Sequence, residues 1–221
     1  MARRAMSAGT VLETLRRGGR QILGRPLTDI EVRTFGKYLD LLRKWQSVHR
    51  MIGSDEPIWI VERVFLDSLL FRRVLPADAR NVLDAGSGAG IPGIPLKLVE
   101  PELQLTMVES RQRRVSFLSV AIRELSLDRT RVYGGRLEAV VRESPNQFDA
   151  VVARCAGDVG YLFGIGAHLV RPGGVVIASG PPEEYPLPAG QWVTVPGVNS
   201  DETRRFAVYS RPEAASAANH V

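Results

Sequence analysis

The sequence predicts an α/β fold built on a mostly parallel β-sheet with helices on both faces. Short apolar runs alternate with helical patterns over residues 81–178, in β-α-β-α order. A glycine-rich segment, residues 86–93, follows the first apolar run directly. This order predicts a buried strand that leads into a tight turn and then a helix. Right-handed crossovers between the parallel strands are therefore expected.

Each element follows from its residue pattern. The predicted strands are the apolar runs 81–85, 104–109, 131–133, 148–153 and 174–178. The predicted helices are the segments of helical periodicity at 92–99, 111–125, 137–142 and 159–169. Two later runs, 192–195 and 204–209, predict an antiparallel hairpin at the C-terminal edge of the sheet.

The region before the sheet predicts a helical extension over residues 26–78. Thr28 and Glu31 have the spacing of a capping box, and Phe35 and Leu42 follow at helical spacing. A second helix is predicted over 57–75, with its end at Pro76. Its predicted buried side comprises Val61, Val64, Phe65, Ser68 and Leu69.

The two ends of the chain have a different composition from the predicted domain at 79–211. Residues 1–25 are rich in Arg, Gly and Ala, with weak apolar periodicity, and predict a flexible basic arm. That arm is either a frayed tail or an RNA-binding segment. Residues 212–221 read as a polar, Ala-rich tail.

Composition limits the function classes. The single cysteine, Cys155, excludes a disulfide framework and a cysteine zinc site within one chain, and the three histidines have no metal-ligand spacing, so no metal is expected. The net charge of +5 fits a nucleic-acid partner or a solvated basic surface. Because neither a signal peptide nor an apolar span is evident, we expect a cytoplasmic protein with no membrane partner. Nothing demands a dimer, and a monomer is expected.

The strongest motif is D-x-G-x-G-x-G, from Asp84 to Gly90. A dinucleotide fingerprint would place its third glycine at position 91, which is Ile91. The spacing instead resembles motif I of class I methyltransferases, which bind S-adenosylmethionine. The resemblance implies that Asp84 orients the α-amino group of that cofactor. The free N–H groups of the next helix are suited to its carboxylate. The cofactor-binding residues predicted here are Asp84, Gly86, Ser87, Gly88, Gly90 and Pro92.

Two further segments predict contacts to the nucleoside. Glu109 ends the second strand, 19 residues after Gly90, where an acid accepts hydrogen bonds from ribose hydroxyls. An exposed surface glutamate is the alternative. After the third strand, Leu137 is predicted to pack on the adenine and Glu138 to lie beside it. The alternative is an ordinary helix start with Glu138 in its first turn.

Several motifs outside the glycine turn carry a more specific resemblance. They are Tyr38-Leu39-x-Leu41-Leu42-x-Lys44-Trp45, Leu66-Asp67-Ser68-Leu69, Gly88-x-Gly90-Ile91-Pro92-Gly93-Ile94-Pro95, Glu109-Ser110-x-x-x-Arg114, Arg136-x-Glu138, Phe148-Asp149-x-Val151-x-x-Arg154 and Arg204-Arg205-Phe206. On these residues the chain resembles the bacterial 16S rRNA guanine-N7 methyltransferases, the RsmG (GidB) family. The resemblance implies a helical extension on a seven-stranded methyltransferase fold, and methyl transfer from S-adenosylmethionine to N7 of one guanine in 16S rRNA. It implies ligand contacts at Gly86, Glu109, Leu137 and Arg154.

The chain departs from the family pattern on the substrate side. Val64 stands where the family has histidine, Ser179 where it has lysine, and Cys155 where it has alanine. The segment after Trp45 also differs, with His49-Arg50-Met51-Ile52 in place of an N-L-T-like segment. Two alternatives therefore stay open: a class I methyltransferase with another substrate, or a cofactor-binding paralogue that has lost turnover.

The expected reaction explains why no catalytic acid or base stands out. Guanine N7 carries a lone pair and no proton, so its methylation depends on alignment and proximity. Arg154 is the predicted catalytic residue, in a positioning role, with the guanine, a phosphate or the cofactor carboxylate as its partner. A structural salt bridge is the alternative. Cys155 is predicted to be a small buried thiol, in preference to a nucleophile.

The predicted partner is 16S rRNA or the small ribosomal subunit. The candidate RNA-binding residues are three basic residues close to Trp45 in sequence and two arginines late in the chain; Trp45 itself is interpreted as a core residue in preference to a base-stacking one. These candidates are Arg43, Lys44, Arg50, Arg204 and Arg205.

Overall fold

The computed structural model describes residues 8–154, 157–180, 184–199 and 201–213. Its centre is one seven-stranded sheet in the order β3-β2-β1-β4-β5-β7-β6. The strands are β1 Asn81–Ala85, β2 Gln104–Glu109, β3 Thr130–Gly134, β4 Phe148–Ala153, β5 Val170–Ser179, β6 Gln191–Pro196 and β7 Thr203–Ser210. The first five strands run parallel, whereas β7 is antiparallel to both β5 and β6. The predicted α/β sheet with an antiparallel C-terminal edge hairpin is confirmed.

Helices connect the parallel strands and cover both faces of the sheet. They are α5 Gly93–Val99, α6 Gln112–Glu124, α7 Leu137–Glu143 and α8 Val159–Leu169. Alternate residues of a strand enter opposite cores, as Val82 and Leu83 of β1 do. Because the central strands are buried on both faces, they read as continuous apolar runs. The predicted bounds agree closely except for β5, which begins four residues earlier, beside an irregular register against β4.

The helical extension begins as the sequence predicts. Helix α2, Asp29–His49, has a complete capping box between Thr28 and Glu31. The side chain of Arg25 adds an ion pair to Glu31 at 2.7 Å. Phe35, Tyr38 and Leu42 are fully buried, and the Tyr38 hydroxyl donates a 2.6 Å hydrogen bond to the Ala89 carbonyl. Helix α2 thereby contacts the glycine-rich turn directly.

The segment predicted as one helix over 57–75 is helical but changes type along its length. It consists of α3 Pro57–Ile60, a π-helix at Val61–Leu66, α4 Asp67–Leu69 and a 3₁₀ turn at Leu70–Arg73. Its predicted apolar side is buried, and Phe65 stacks on Tyr38 with ring centroids 5.1 Å apart. The spacing of apolar residues in the sequence fits either an α-helix or a π-helix, so it does not predict the π-helical segment.

The prediction of a flexible arm over residues 1–25 is wrong for most of its length. Residues Ala8–Leu23 form helix α1, and Leu15 is 1% exposed. A Cβ atom added at Gly18 would lie 2.3 Å from Leu66 Cδ1, so this glycine permits α1 to pack closely. Glycine contributes no apolar signal, which explains the weak periodicity. Residues 1–7 and 214–221, the ends of the predicted arm and tail, lie outside the described residues.

Candidate functional site

A cavity of about 370 Å³ opens at the carboxyl ends of β1, β2 and β4. Its volume lies in the range of small-molecule sites, and ligands of open α/β sheets bind at this edge. The lining residues are Ala85, Gly86, Val108, Glu109, Ser110, Gly135, Arg136, Leu137, Glu138, Ala153, Arg154, Tyr161 and Leu162. Five of the predicted site residues therefore meet in one place: Gly86, Glu109, Leu137, Glu138 and Arg154.

The glycine-rich turn forms one wall of this cavity. Gly86, Gly88 and Gly90 have φ angles of 69°, 59° and 85°, in the left-handed region that favours glycine. A Cβ atom at Gly86 would have no neighbour within 4 Å, so open space for a ligand lies beside this residue. At Gly90 a Cβ atom would lie 2.3 Å from Ile94 Cδ1. Gly86 thus leaves room for a ligand, and Gly90 leaves room for the packing of α5.

Glu109 joins the end of β2 to this turn. Its Oε2 accepts the backbone N–H of Gly88 at 3.0 Å, and its Oε1 accepts that of Arg111 at 2.8 Å. The Arg114 guanidinium lies 3.7 Å from Oε2. Each carboxylate oxygen has a second acceptor site, so hydroxyl donors in the cavity can still bind. The surroundings of Glu109 therefore fit the predicted ribose contact.

Asp84 lies behind the turn and does not line the cavity. Its side chain is fully buried, and Oδ2 accepts the N–H of Gly93 at 3.0 Å. Oδ1 has no partner among the described residues. Burial raises the pKa of Asp84 to about 7, although the Gly93 N–H opposes part of this rise. A buried carboxylate with an unpartnered oxygen fits an ammonium group nearby.

The other predicted turn residues also shape the cavity from behind. The Ser87 hydroxyl donates to the Asp84 carbonyl at 2.9 Å, and Pro92 occupies the N-cap position of α5. Neither residue, nor Gly88 or Gly90, lines the cavity. The direct cofactor contacts assigned to these four residues therefore stay a prediction, whereas their part in the turn geometry is evident.

Arg154 follows β4 and lines the cavity near Ala85. Its Nη2 donates to the Arg63 carbonyl and lies 3.6 Å from Oδ2 of Asp67. Its Nη1 is buried and has no hydrogen-bond partner within the described ranges. One end of the guanidinium is thus fixed by the helical extension, and the other is buried without a hydrogen-bond partner among the described residues. Cys155, the next residue, lies outside the described residues.

The candidate RNA-binding residues fall into separate groups. Arg43, Lys44 and Arg50 are exposed near the C-terminal end of α2, away from the cavity lining. Lys44 borders an open groove of about 750 Å³ between α2 and α6. Trp45 is partly buried, edge-on to Phe117 with centroids 5.4 Å apart, which favours its interpretation as a core residue.

Arg204 and Arg205, at the start of β7, have different environments. Arg204 Nε lies 3.2 Å from Oδ1 of Asp67, the same carboxylate that Arg154 approaches. Arg205 pairs with Glu184 at 3.2 Å. The structure therefore brings Arg204 close to Arg154, whereas Arg205 belongs to a neighbouring loop contact.

Two functional candidates are not evident from the sequence alone. Tyr161 lines the cavity, and its hydroxyl donates to Glu138 Oε1 at 2.6 Å. A usable signal was present, because Asp158 caps α8 and the first turn of a helix after β4 faces the carboxyl edge. The second candidate is Asp67 of the Leu66-Asp67-Ser68-Leu69 motif, for which the sequence pattern predicts no role in the site. Only the fold reveals that it lies between two arginines distant in sequence.

Metal-binding clusters and membrane-spanning helices are both absent from the described residues. Within the described ranges, no cluster of three or more His, Cys, Asp or Glu side chains is arranged to hold a metal ion. No described helix has both the length and the apolar character that crossing a bilayer requires.

Solved structures resemble this fold at low sequence identity. The O-methyltransferase TomG from Streptomyces achromogenes, solved with S-adenosylmethionine, gives a TM-score of 0.54 at 16% identity, covering 95% of this chain and 100% of that one. The [4+2]-cyclase SpnF gives 0.56 at 13% identity, covering 83% and 96%. These likenesses confirm the predicted class I methyltransferase fold.

Relatives in sequence identify a narrower family than the solved structures do. Ribosomal RNA small subunit methyltransferase G from Xanthomonas campestris pv. campestris (strain 8004) is 35% identical over 175 residues, covering 75% of this chain and 81% of the relative. The protein of the same name from Stenotrophomonas maltophilia (strain K279a) is 37% identical over 172 residues, covering 73% and 79%. The family model GidB, rRNA small subunit methyltransferase G, matches residues 31–180. The chain therefore belongs to the GidB family of rRNA small subunit methyltransferases.

Proposed function

We propose that this protein transfers the methyl group of S-adenosylmethionine to N7 of a guanine in 16S rRNA, acting on the small ribosomal subunit in the cytoplasm. The observation that carries the proposal is the meeting of Gly86, Glu109 and Arg154 in one cavity, in a chain of the GidB family. The glycine turn and Glu109 supply the cofactor side of the site, and Arg154 supplies a cation at the substrate side.

The residues present fit S-adenosylmethionine. The open space beside Gly86 admits a ligand against the backbone, and Glu109 offers acceptors for the two ribose hydroxyls. Leu137 presents an apolar surface to an adenine, and the unpartnered Oδ1 of Asp84 favours an ammonium group nearby. When bound, this cofactor supplies an electrophilic methyl group on a sulfonium centre.

The chain's own contribution to the reaction is alignment. N7 of guanine bears no proton, so no side chain has to act as a general base. Asp84, whose pKa of about 7 would suit a base, is fully buried and does not line the cavity. Arg154 lines the cavity and supplies a guanidinium that suits an acceptor such as guanine O6 or a phosphate. Holding the base in line with the methyl group accounts for rate enhancement through proximity.

Two of the departures from the family pattern, Val64 and Ser179, do not line the cavity. Val64 is 1% exposed and packs in the core on the buried side of the π-helix. Ser179 is the last residue of β5 and is not part of the cavity lining. Because both substitutions leave the cavity wall unchanged, they favour retained methyl transfer over a paralogue without turnover.

The deciding experiment is methyl transfer to small ribosomal subunits from a bacterial strain that lacks this modification. The enzyme is incubated with tritiated S-adenosylmethionine, and the labelled nucleoside is identified after digestion of the RNA. We expect 7-methylguanosine in 16S rRNA. Label in another nucleoside, or in a small molecule, would establish the alternative of a different substrate.

A second measurement distinguishes an active methyltransferase from a cofactor-binding paralogue that has lost turnover. Isothermal titration measures binding of S-adenosylmethionine to the same preparation. Binding without transfer to subunits, naked 16S rRNA or total cell extract would indicate a cofactor-binding paralogue and overturn the proposal. Comparison of subunits with naked RNA also shows which of the two is the substrate.

A further inference from the structure

The carboxylate of Asp67 lies between two arginines from β7 and the end of β4, two strands that β5 separates in the sheet. Oδ1 is 3.2 Å from Arg204 Nε, and Oδ2 is 3.6 Å from Arg154 Nη2. The three side chains are 16%, 31% and 22% exposed, so the cluster is largely shielded from water. One carboxylate of the helical extension thus contacts the ends of both β4 and β7.

The π-helix adds a second contact to the same arginine. The N–H of Asp67 is directed to the carbonyls of Glu62 and Val64, in place of the Arg63 carbonyl that it would reach in a regular α-helix. The Arg63 carbonyl accepts a hydrogen bond from Arg154 Nη2. Helical segments of π type are frequent at functional sites. Here the altered register presents a backbone carbonyl and a carboxylate to one nitrogen of Arg154.

These contacts fix the Arg154 side chain where it lines the cavity. Nη2 is held by the extension, and Nη1 is buried without a hydrogen-bond partner among the described residues. A free arginine side chain loses about 2 kcal/mol of rotamer entropy when it is ordered. Holding it in advance removes part of that cost from substrate binding and from the transition state.

From this geometry we propose that Asp67 is a positioning residue for methyl transfer, which holds the Arg154 side chain in the wall of the cavity that receives the substrate guanine. The helical extension therefore completes the active site by supplying Asp67 and the Arg63 carbonyl. This inference rests on the proposed function, because it assigns a partner to the arginine at that site. Arg204 also lies 3.9 Å from Oε2 of Glu202, so the cluster comprises two guanidinium groups and two carboxylates.

A structural ion pair alone is a weaker explanation of the arrangement. If these ion pairs served only the fold, Asp67→Asn would lower the free energy of unfolding and leave the kcat of the folded enzyme unchanged. A positioning role predicts a loss of kcat in enzyme that is still folded. The two explanations therefore differ in what the same substitution changes.

The test compares Asp67→Asn with the matched control Glu62→Gln. Glu62 is an exposed acid on the same π-helix, and its side chain does not line the cavity. We expect Asp67→Asn to lower kcat for subunit methylation by about tenfold or more, as loss of transition-state alignment does. The Kd for S-adenosylmethionine and the KM for subunits should change less, and the control should match the wild type.

The double variant supplies a readout that a merely structural role would not alter. If Asp67 acts through Arg154, Asp67→Asn should lower kcat little further once Arg154→Ala is present. Additive losses would overturn the proposal, as would wild-type kcat in Asp67→Asn. Should Asp67→Asn fail to fold, the same cycle is run with Asp67→Glu, which keeps the charge but displaces the carboxylate. A wild-type enzyme without methyl transfer would instead refute the proposed function, so the two failures are distinguishable.

Discussion

The backbone N–H of Gly88 donates a 3.0 Å hydrogen bond to Oε2 of Glu109. This contact fastens the glycine-rich turn after β1 to the last residue of β2. The neighbouring Ser87 N–H donates to the Val108 carbonyl at 2.9 Å and strengthens the same junction. Glu109 consequently has two tasks, since it orders the turn and offers acceptors to the cavity.

Replacing Glu109 with Gln should weaken cofactor binding through both tasks. The amide nitrogen of Gln must face either the Gly88 or the Arg111 N–H. Because both groups are hydrogen-bond donors, one of the two hydrogen bonds is lost. We expect the Kd for S-adenosylmethionine to rise about tenfold or more, as loss of a charge-assisted hydrogen bond does. Isothermal titration measures this change. The control is Glu102→Gln, an exposed acid before β2 at the opposite edge, and equal affinities for both variants would contradict the assignment.

The sheet and the cavity floor could be predicted because local signals agree with the tertiary structure. Buried parallel strands read as apolar runs, and the turn between β1 and α5 requires glycine at left-handed φ angles. Glu109 could be assigned because its distance from the turn is fixed by one crossover helix. These features depend on residues that lie close together along the chain.

Other features depend on contacts that sequence separation conceals. Helix α1 was predicted as a flexible arm because Gly18 contributes no apolar side chain, although it permits close packing against Leu66. The contact of Asp67 with Arg204 joins residues 137 positions apart. The role of Asp84 differs from a simple ligand contact because burial, which sequence does not show, places its carboxylate behind the turn.

Tyr161→Phe should weaken cofactor binding without affecting the fold. The variant loses the 2.6 Å hydrogen bond to Glu138, which joins α8 to α7 at the cavity wall. Because the pair is exposed, we expect only a small rise in the Kd for S-adenosylmethionine, roughly two- to fivefold. Titration calorimetry beside the control Tyr185→Phe, an exposed phenol before β6, measures it. An unchanged Kd would mean that the Tyr161 hydroxyl does not shape the site.

Gly90→Ala should destabilise the protein. Its φ of 85° is unfavourable for alanine, and the added Cβ would lie 2.3 Å from Ile94 Cδ1 and 3.3 Å from Leu118 Cδ2. Overpacking and left-handed strain together should lower the free energy of unfolding by about 2–4 kcal/mol. Denaturant unfolding measures the loss. Gly86→Ala is the comparison, since it shares the left-handed φ but meets no neighbour, and it should lose less stability.

The basic C-terminal end of α2 should affect RNA binding through phosphate contacts. If Lys44 and Arg50 each contact one phosphate, the double alanine variant reduces the slope of log affinity against log salt by about 0.7–0.9 for each contact. Filter binding to small subunits over a range of salt concentrations provides the slope. Arg129→Gln, at the amino end of β3, is the control, and its slope should match the wild type. Parallel slopes for all three proteins would exclude this surface from the RNA interface.

Asp84 should make stability depend on pH in a direction opposite to that of most carboxylates. Its pKa is raised from 3.8 to about 7, chiefly by burial, so the folded state holds a proton that the unfolded state has already released. Stability is therefore lost as the pH rises from about 4 to about 7, and the loss levels off above that range.

Asp84→Asn removes this titration while keeping an oxygen acceptor for the Gly93 N–H. The difference in free energy of unfolding, variant minus wild type, should increase by up to roughly 4 kcal/mol between pH 4 and pH 7. Urea denaturation of both proteins at pH 4.5, 6, 7 and 8 gives the difference, in which the titration of all other groups largely cancels. A difference that stays constant across this range would show that Asp84 ionises in the folded protein as readily as in the unfolded chain.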